Sequence, residues 1–352
     1  MRSFRCSCGN RVYFENDRCL ACGRDLAFDP TVLDLRVMDG SMGRCAHHAY
    51  PKTCNWLVTE GDAFCKACSL NEVIPDLSDA RRVRLYYEVE KSKRRLLFTL
   101  LELGLPVEGR LDRADGLAFR ILADARLDES DTDFAAHDEV TTGHAQGEIT
   151  INLLEADPRL REQMRLAMNE SYRTLLGHFR HESGHYYWQR LVAHGDGIAA
   201  FRARFGDERR HYQDSLDAYY RDGPPPNWQD EYVVAYASSH PLEDFAECWS
   251  HYLHMVDTLQ TAADRGLAVG DVRFTDPLNA PAAFPQIIDQ WRALAPSMND
   301  LNRSMGLDDA YPFTLTEAIV GKLGFVHETV ASAARPAAAA GSRVDRTGPA
   351  NP

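Results

Sequence analysis

The sequence predicts an α+β chain in two parts: a small cysteine-rich N-terminal region, then a larger, mainly helical domain with a small sheet. Three observations carry this reading. Eight of the nine cysteines fall before residue 70. An amphipathic helix is predicted over 79–104, with Val83, Tyr86, Val89 and Leu96–Leu101 as its apolar positions. Glu148-Ile149-Thr150-Ile151-Asn152-Leu153 alternates polar and apolar residues, as a strand with one solvated face does.

The chain has 352 residues, enough for about two domains. No run of 18 apolar residues suits a membrane span, and the start lacks the apolar core of a secretion signal. We therefore expect a soluble, cytoplasmic protein. The formal charge of −13 argues against a general nucleic-acid or membrane-surface binder. Residues 1–75 hold nine Lys/Arg and nine Asp/Glu, so the negative charge belongs to the second part. The expected division is 1–72, then 76–334, with Ser69–Asp79 as linker around Pro75. Residues 335–352 are rich in Ala, Gly, Pro and Arg and read as a disordered tail.

In the first region, Cys6-Ser-Cys8-Gly9 and Cys19-Leu-Ala-Cys22-Gly23 form two knuckles ten residues apart. Each places two thiolates on one tight turn, the arrangement tetrahedral zinc requires. Arg11-Val-Tyr-Phe14 reads as a short strand of a zinc ribbon between them. Cys45, Cys54, Cys65 and Cys68 form a second, less regular set, in which His47 or His48 is an alternative to Cys45. An interleaved, cross-braced arrangement of the two sets is the alternative the spacing leaves open. We expect two structural Zn2+ here, because about 70 residues bury too little apolar surface alone. The ribbons also suit protein docking, whereas their balanced charge argues against nucleic acid.

In the second region, Gly116–Ala125 and Glu148–Leu154 are predicted strands, followed by a helical stretch from Pro158 to about Val192 that breaks near Ser171. It contains His181-Glu182-Ser183-Gly184-His185, an HExxH. On a helix, positions i and i+4 lie about 40° apart, so both imidazoles can reach one Zn2+. Glu182 then projects beside the metal, placed to take a proton from a zinc-activated water as general base. A metzincin pattern would need Gly at 188 and His at 191, where this chain has Trp188 and Leu191. The gluzincin alternative takes its third ligand from a later helix. In Glu243-Asp-Phe-Ala-Glu247-Cys-Trp-Ser-His251-Tyr-Leu-His254, Glu243, Glu247 and His254 share one face of such a helix.

The pairing of His-Glu-x-Gly-His with this later helix resembles the gluzincin catalytic domain of the anthrax lethal factor group. It is more similar still to bacterial zinc-binding metallopeptidases that carry an N-terminal zinc ribbon. The resemblance to the latter covers residues 1 to about 330 and implies a zincin-like catalytic domain. The lethal factor pattern makes Glu243 the third ligand and Glu247 the carboxylate that orients a ligand histidine. It also makes Tyr236, seven residues before Glu243, the donor to the oxyanion. The gap from His185 to Glu243 departs from the lethal factor pattern, with 202–230 as an apparent insertion.

The function expected is a zinc metallopeptidase acting on a peptide or protein substrate, with one catalytic and two structural Zn2+. The alternative is a catalytically inactive zinc-binding adaptor that binds protein or nucleic acid through its ribbons. Among the remaining residues, His178 reads as a surface histidine and His240 as a cap for the ligand helix. His251 lies either behind the ligands or as a rival to them. Cys248 reads as packing, and Trp188, Trp228, Trp249 and Trp291 as core or cleft wall.

Overall fold

The computed structural model describes residues 1–123, 142–167, 173–278 and 283–334. The expected tail and the expected break near Ser171 lie outside them.

The N-terminal region is made of short hairpins. Strands β1 (Phe4–Arg5) and β2 (Arg11–Val12) pair antiparallel around the first knuckle, where Gly9 adopts φ 85°. That conformation costs glycine nothing and any other residue strain. A second hairpin joins β3 (Leu26–Asp29) to β4 (Asp34–Val37), and the short helix α1 (Ala46–Ala49) follows Cys45. Helix α2 (Ala80–Glu102) begins where the Asp79 carboxylate accepts from the Arg82 amide at 2.9 Å.

Helix α2 does not stand apart from the ribbon. Its Phe98 enters an aromatic cluster with Phe4, Phe14, Phe28 and Trp56, ring centroids 4.8–6.4 Å apart. Each such pair adds about 0.5–1.5 kcal/mol beyond the area it buries. The apolar pattern of the sequence gives no hint of a second link, a buried ion network on the same helix. Glu90 is fully buried, 2.7 Å from Lys93 Nζ and 2.9 Å from Asn71 Nδ2, and Arg94 donates to the carbonyl of Thr53 in the ribbon. Burial alone would raise the Glu90 pKa; Lys93 and Arg94 overcome it and hold the carboxyl below its usual value.

Part of the segment expected as linker, Ser69–Asp79, pairs into the sheet. Asn71–Val73 forms β5, parallel to β6 (Ala118–Leu122). With β7 (Gly143–Ala145) and β8 (Glu148–Asn152) the order is β5-β6-β8-β7, where β8 runs parallel to β6 and β7 antiparallel to β8. A three-residue strand is too short to show alternation, and its pairing is non-local, so the sequence hides it. In β8, Ile149 and Ile151 are buried while Glu148 and Thr150 are not, as the alternation predicts. The strand ends at Asn152, whose side chain accepts from the Leu154 amide and starts a 3₁₀ turn.

Helices α3 (Pro158–Ala167), α4 (Leu175–Leu191) and α5 (Ile198–Phe205) come next. The apparent insertion then folds mainly as α6 (Tyr212–Asp222) and α7 (Trp228–Glu231). The 24-residue helix α8 (Pro241–Asp264) packs on α4 and on α10 (Glu317–Ala333). A small hairpin, β9 (Ala268–Val269) and β10 (Val272–Arg273), leads into α9 (Phe284–Ser304). Among the described residues no helix is long and apolar enough to cross a membrane.

Candidate metal centres and active site

The eight N-terminal cysteines converge in two sequential groups, without interleaving. Cys6, Cys8, Cys19 and Cys22 form one and Cys45, Cys54, Cys65 and Cys68 the other, each with its sulfurs within 4.8 Å of one another. Amides of the second knuckle face its sulfur: those of Cys22 and Ala21 draw the Cys19 thiol down to about 6, against burial. In the second group the Cys54, Cys65 and Cys68 thiols hold Cys45 well below its ordinary value. Neither histidine replaces Cys45. His47 packs on Phe64, and His48 accepts from Arg44 and donates to the Cys54 carbonyl. Two four-thiol groups suit zinc.

The two groups differ in setting. Cys8 and Cys22 are exposed, whereas all four members of the second group are buried. Cys68 Sγ lies 3.9 Å from Glu90 Oε2, so the second group abuts the ion network of α2.

The third convergence of donors comes from two helices far apart in sequence. Helix α4 starts with Thr174 Oγ1 accepting from the Gly177 amide, and α8 with the His240 ring accepting from the Leu242 amide ahead of Pro241. His240 is therefore a cap, as expected; its other ring nitrogen donates to the Arg210 carbonyl at 3.2 Å. The two helices approach closely because Gly184 has no side chain. A Cβ there would meet Ala246 Cα at 2.8 Å and Trp249 Cβ at 3.2 Å. The Gly of the HExGH thus faces the Ala of the Phe-Ala-Glu.

This crossing sets His181, His185 and Glu243 against each other. His181 Nε2 is 3.2 Å from His185 Nε2 and 3.1 Å from Glu243 Oε2, and His185 Nε2 is 3.3 Å from Glu243 Oε1. Glu247, one turn along α8, lies 2.9 Å from His181 Nδ1 and fixes that ring. Burial would depress the His181 pKa, but Glu247 and Glu243 together raise it well above its usual value. Burial would raise Glu243, yet the His185 and His181 charges hold it well below the carboxylate range. Two facing imidazole nitrogens against a buried carboxylate call for a shared cation. Two histidines and one glutamate match an open Zn2+ site, so the residues present fit the metal.

Around this group runs a cleft of about 2110 Å³. Glu182 lines it, nearly buried, and burial lifts its pKa against the opposing pull of His181 and His185. Tyr236, on a 3₁₀ turn at Ala235–Ser238, has its ring 6.4 Å from that of His181. Burial and the charge of Glu243 raise its phenol.

Two neighbours escaped the sequence reading. Tyr212, the first residue of α6, donates to Glu243 Oε1 at 2.7 Å and packs its ring on His240. Its only sequence signal is the spacing Tyr212, Leu216, Tyr219, Tyr220, an apolar stripe on a short helix. His144, on strand β7, stacks over His185 with centroids 6.2 Å apart; burial, then the His185 charge, lowers its pKa to about 4. No motif marks it.

Other expectations are corrected. His178 is not a surface histidine: it is half-buried in the cleft and paired with the buried Glu155. His251 is not a rival ligand, since its Nδ1 meets the Tyr311 hydroxyl at 2.7 Å, and burial lowers its pKa to about 4. His254 lies beyond the donor group, its ring 5.8 Å from that of Trp291 and 5.5 Å from that of Tyr311. Cys248 is buried in the core beside Asp244, as read from the sequence. Trp249 and Trp291 are core, while Trp188 and Trp228 line the cleft.

A zinc-ribbon domain model matches residues 3–79. Over 337 residues the chain is 44% identical to "Uncharacterized protein Rv2568c" of Mycobacterium tuberculosis (strain ATCC 25618 / H37Rv), covering 94% of this chain and 95% of that one. The same figures hold for "Uncharacterized protein Mb2598c" of Mycobacterium bovis. No solved structure matches the chain. With two cysteine groups in front and a donor-lined cleft behind, the chain belongs to the family described as "Putative zinc-binding metallo-peptidase", whose model spans residues 82–329.

Proposed function

We propose that this chain is a zinc-dependent peptidase in which His181, His185 and Glu243 hold the catalytic ion and Glu182 is the general base. The observation that carries the reading is the meeting of those three donors beside the nearly buried Glu182 on the wall of a large cleft. Zn2+ at this position would supply Lewis acidity to the attacking water and to the scissile carbonyl. Glu182 takes the proton of the water and returns it to the leaving amine. The Tyr236 hydroxyl donates to the oxyanion that develops on the carbonyl oxygen. Glu247 orients His181 and Tyr212 steadies Glu243, so that both ligands hold one geometry without relying on the substrate. The cysteine groups take two further ions that hold the ribbon together.

Zinc content per chain tests the ligand set. Three ions are expected in the wild type and two in His181→Ala and in Glu243→Ala. Two ions in all three proteins would remove the catalytic site. The base is tested with Glu182→Gln, which should lower peptide hydrolysis at least 100-fold while zinc content stays at three. Full activity in that variant would sink the mechanism.

A further inference from the structure

Helix α6 is amphipathic in an unusual direction. Its outer face carries Asp214, Asp217 and Asp222, and its other face carries Tyr212, Leu216, Tyr219 and Tyr220, all of which line the metal cleft. None of the eleven residues of α6 is buried; Tyr212 is 41% exposed and Tyr220 64%. A helix normally turns such a stripe into a core. Here the stripe opens on the donor group itself. The Tyr219 ring lies 5.8 Å from that of Tyr236 and 5.6 Å from that of Tyr220, and Tyr236 in turn sits beside His181. Trp228 of α7 lines the same cleft.

An apolar surface left open at a catalytic cleft is covered by what the cleft binds. The volume of about 2110 Å³ exceeds the roughly 300–1,000 Å³ typical of small-molecule sites, so it admits several residues of an extended chain. Resting on the peptidase reading above, we propose that Leu216, Tyr219 and Tyr220 form a side-chain pocket selecting polypeptides with a large apolar or aromatic residue next to the scissile bond. The substrate class is then an unfolded or extended segment, because such side chains are buried in folded proteins.

The test uses two probes that share a zinc-chelating group, acetohydroxamate and 3-phenylpropanohydroxamate, titrated calorimetrically into the zinc-loaded full-length protein. The phenyl probe should bind at least tenfold more tightly. The ratio of the two affinities should fall below threefold in Tyr220→Ala, at an exposed position, and in Leu216→Ser. Equal affinities in the wild type, or a ratio unmoved in both variants, would overturn the pocket and leave the peptidase reading intact. If neither probe binds a chain that carries three zinc ions, the catalytic metal reading falls and the pocket with it.

Discussion

The two cysteine groups share four thiols and sequence proximity, yet they sit in opposite environments. The first closes a turn at the surface, with Cys8 and Cys22 exposed. The second is buried on all four sides and touches Glu90, whose ion network reaches back to the ribbon through Arg94 and Thr53. The difference teaches that four thiols can gather at a partly exposed turn in one place and, in another, be buried beside the helix that follows the ribbon. Metal at the first group would stabilise a knuckle; metal at the second would stabilise α2, which packs on α4.

The largest test of this contrast is loss of one thiol from each group. Structural zinc is worth about 10–16 kcal/mol, more than most chains have in total stability. If the second ion holds α2 in place, Cys65→Ser should leave no cooperatively folded protein, whereas Cys22→Ser, which frees only the exposed first turn, should keep the α4–α8 centre and lose one zinc. Equal damage in circular dichroism and zinc content would erase the distinction. The next effect is electrostatic. Glu90→Ala leaves Lys93 and Arg94 buried without their carboxylate and should cost about 3–5 kcal/mol in urea unfolding. Asp25→Ala, at an exposed pair 4.0 Å from Arg44 near the first group, should cost less than about 1 kcal/mol.

A fifth variant sharpens the comparison at the helix crossing, away from both thiol groups. Gly184→Ala gains about 1 kcal/mol of helix propensity, but its Cβ meets the α8 backbone and overpacking costs about 1–3 kcal/mol. The clash should win. Zinc content is expected to fall from three to two with both cysteine ions retained; an unchanged count of three would show that the helix crossing has slack. The smallest effect is kinetic. A chromogenic chelator should strip the exposed group at least tenfold faster than the buried one, a barrier difference of about 1.4 kcal/mol. A single release phase for both would argue that burial does not govern access.

Much of this is legible in the sequence. The knuckles, the i, i+4 histidines and the Glu243 to Glu247 spacing are local patterns, and local geometry fixes what they do. What stayed hidden was non-local. Strand β5 is too short to alternate and exists only through its partner β6. Glu90, Lys93 and Arg94 read as the polar face of α2 because nothing local says that the ribbon covers it. His144 reaches His185 from a strand, and Tyr212 reaches Glu243 from a segment that resembled an insertion. Gly184 lay in plain view inside the HExGH, but its role depends on Ala246, sixty-two positions later.

The aromatic cluster shared by Phe4, Phe14, Phe28, Trp56 and Phe98 has a consequence for synthesis. Four of its five rings leave the ribosome before the fifth is made. At about 5–20 residues per second, roughly 40 residues between Trp56 and Phe98 take about 2–8 s. Through that interval the nascent ribbon would carry bare aromatic faces, which are covered only when α2 emerges.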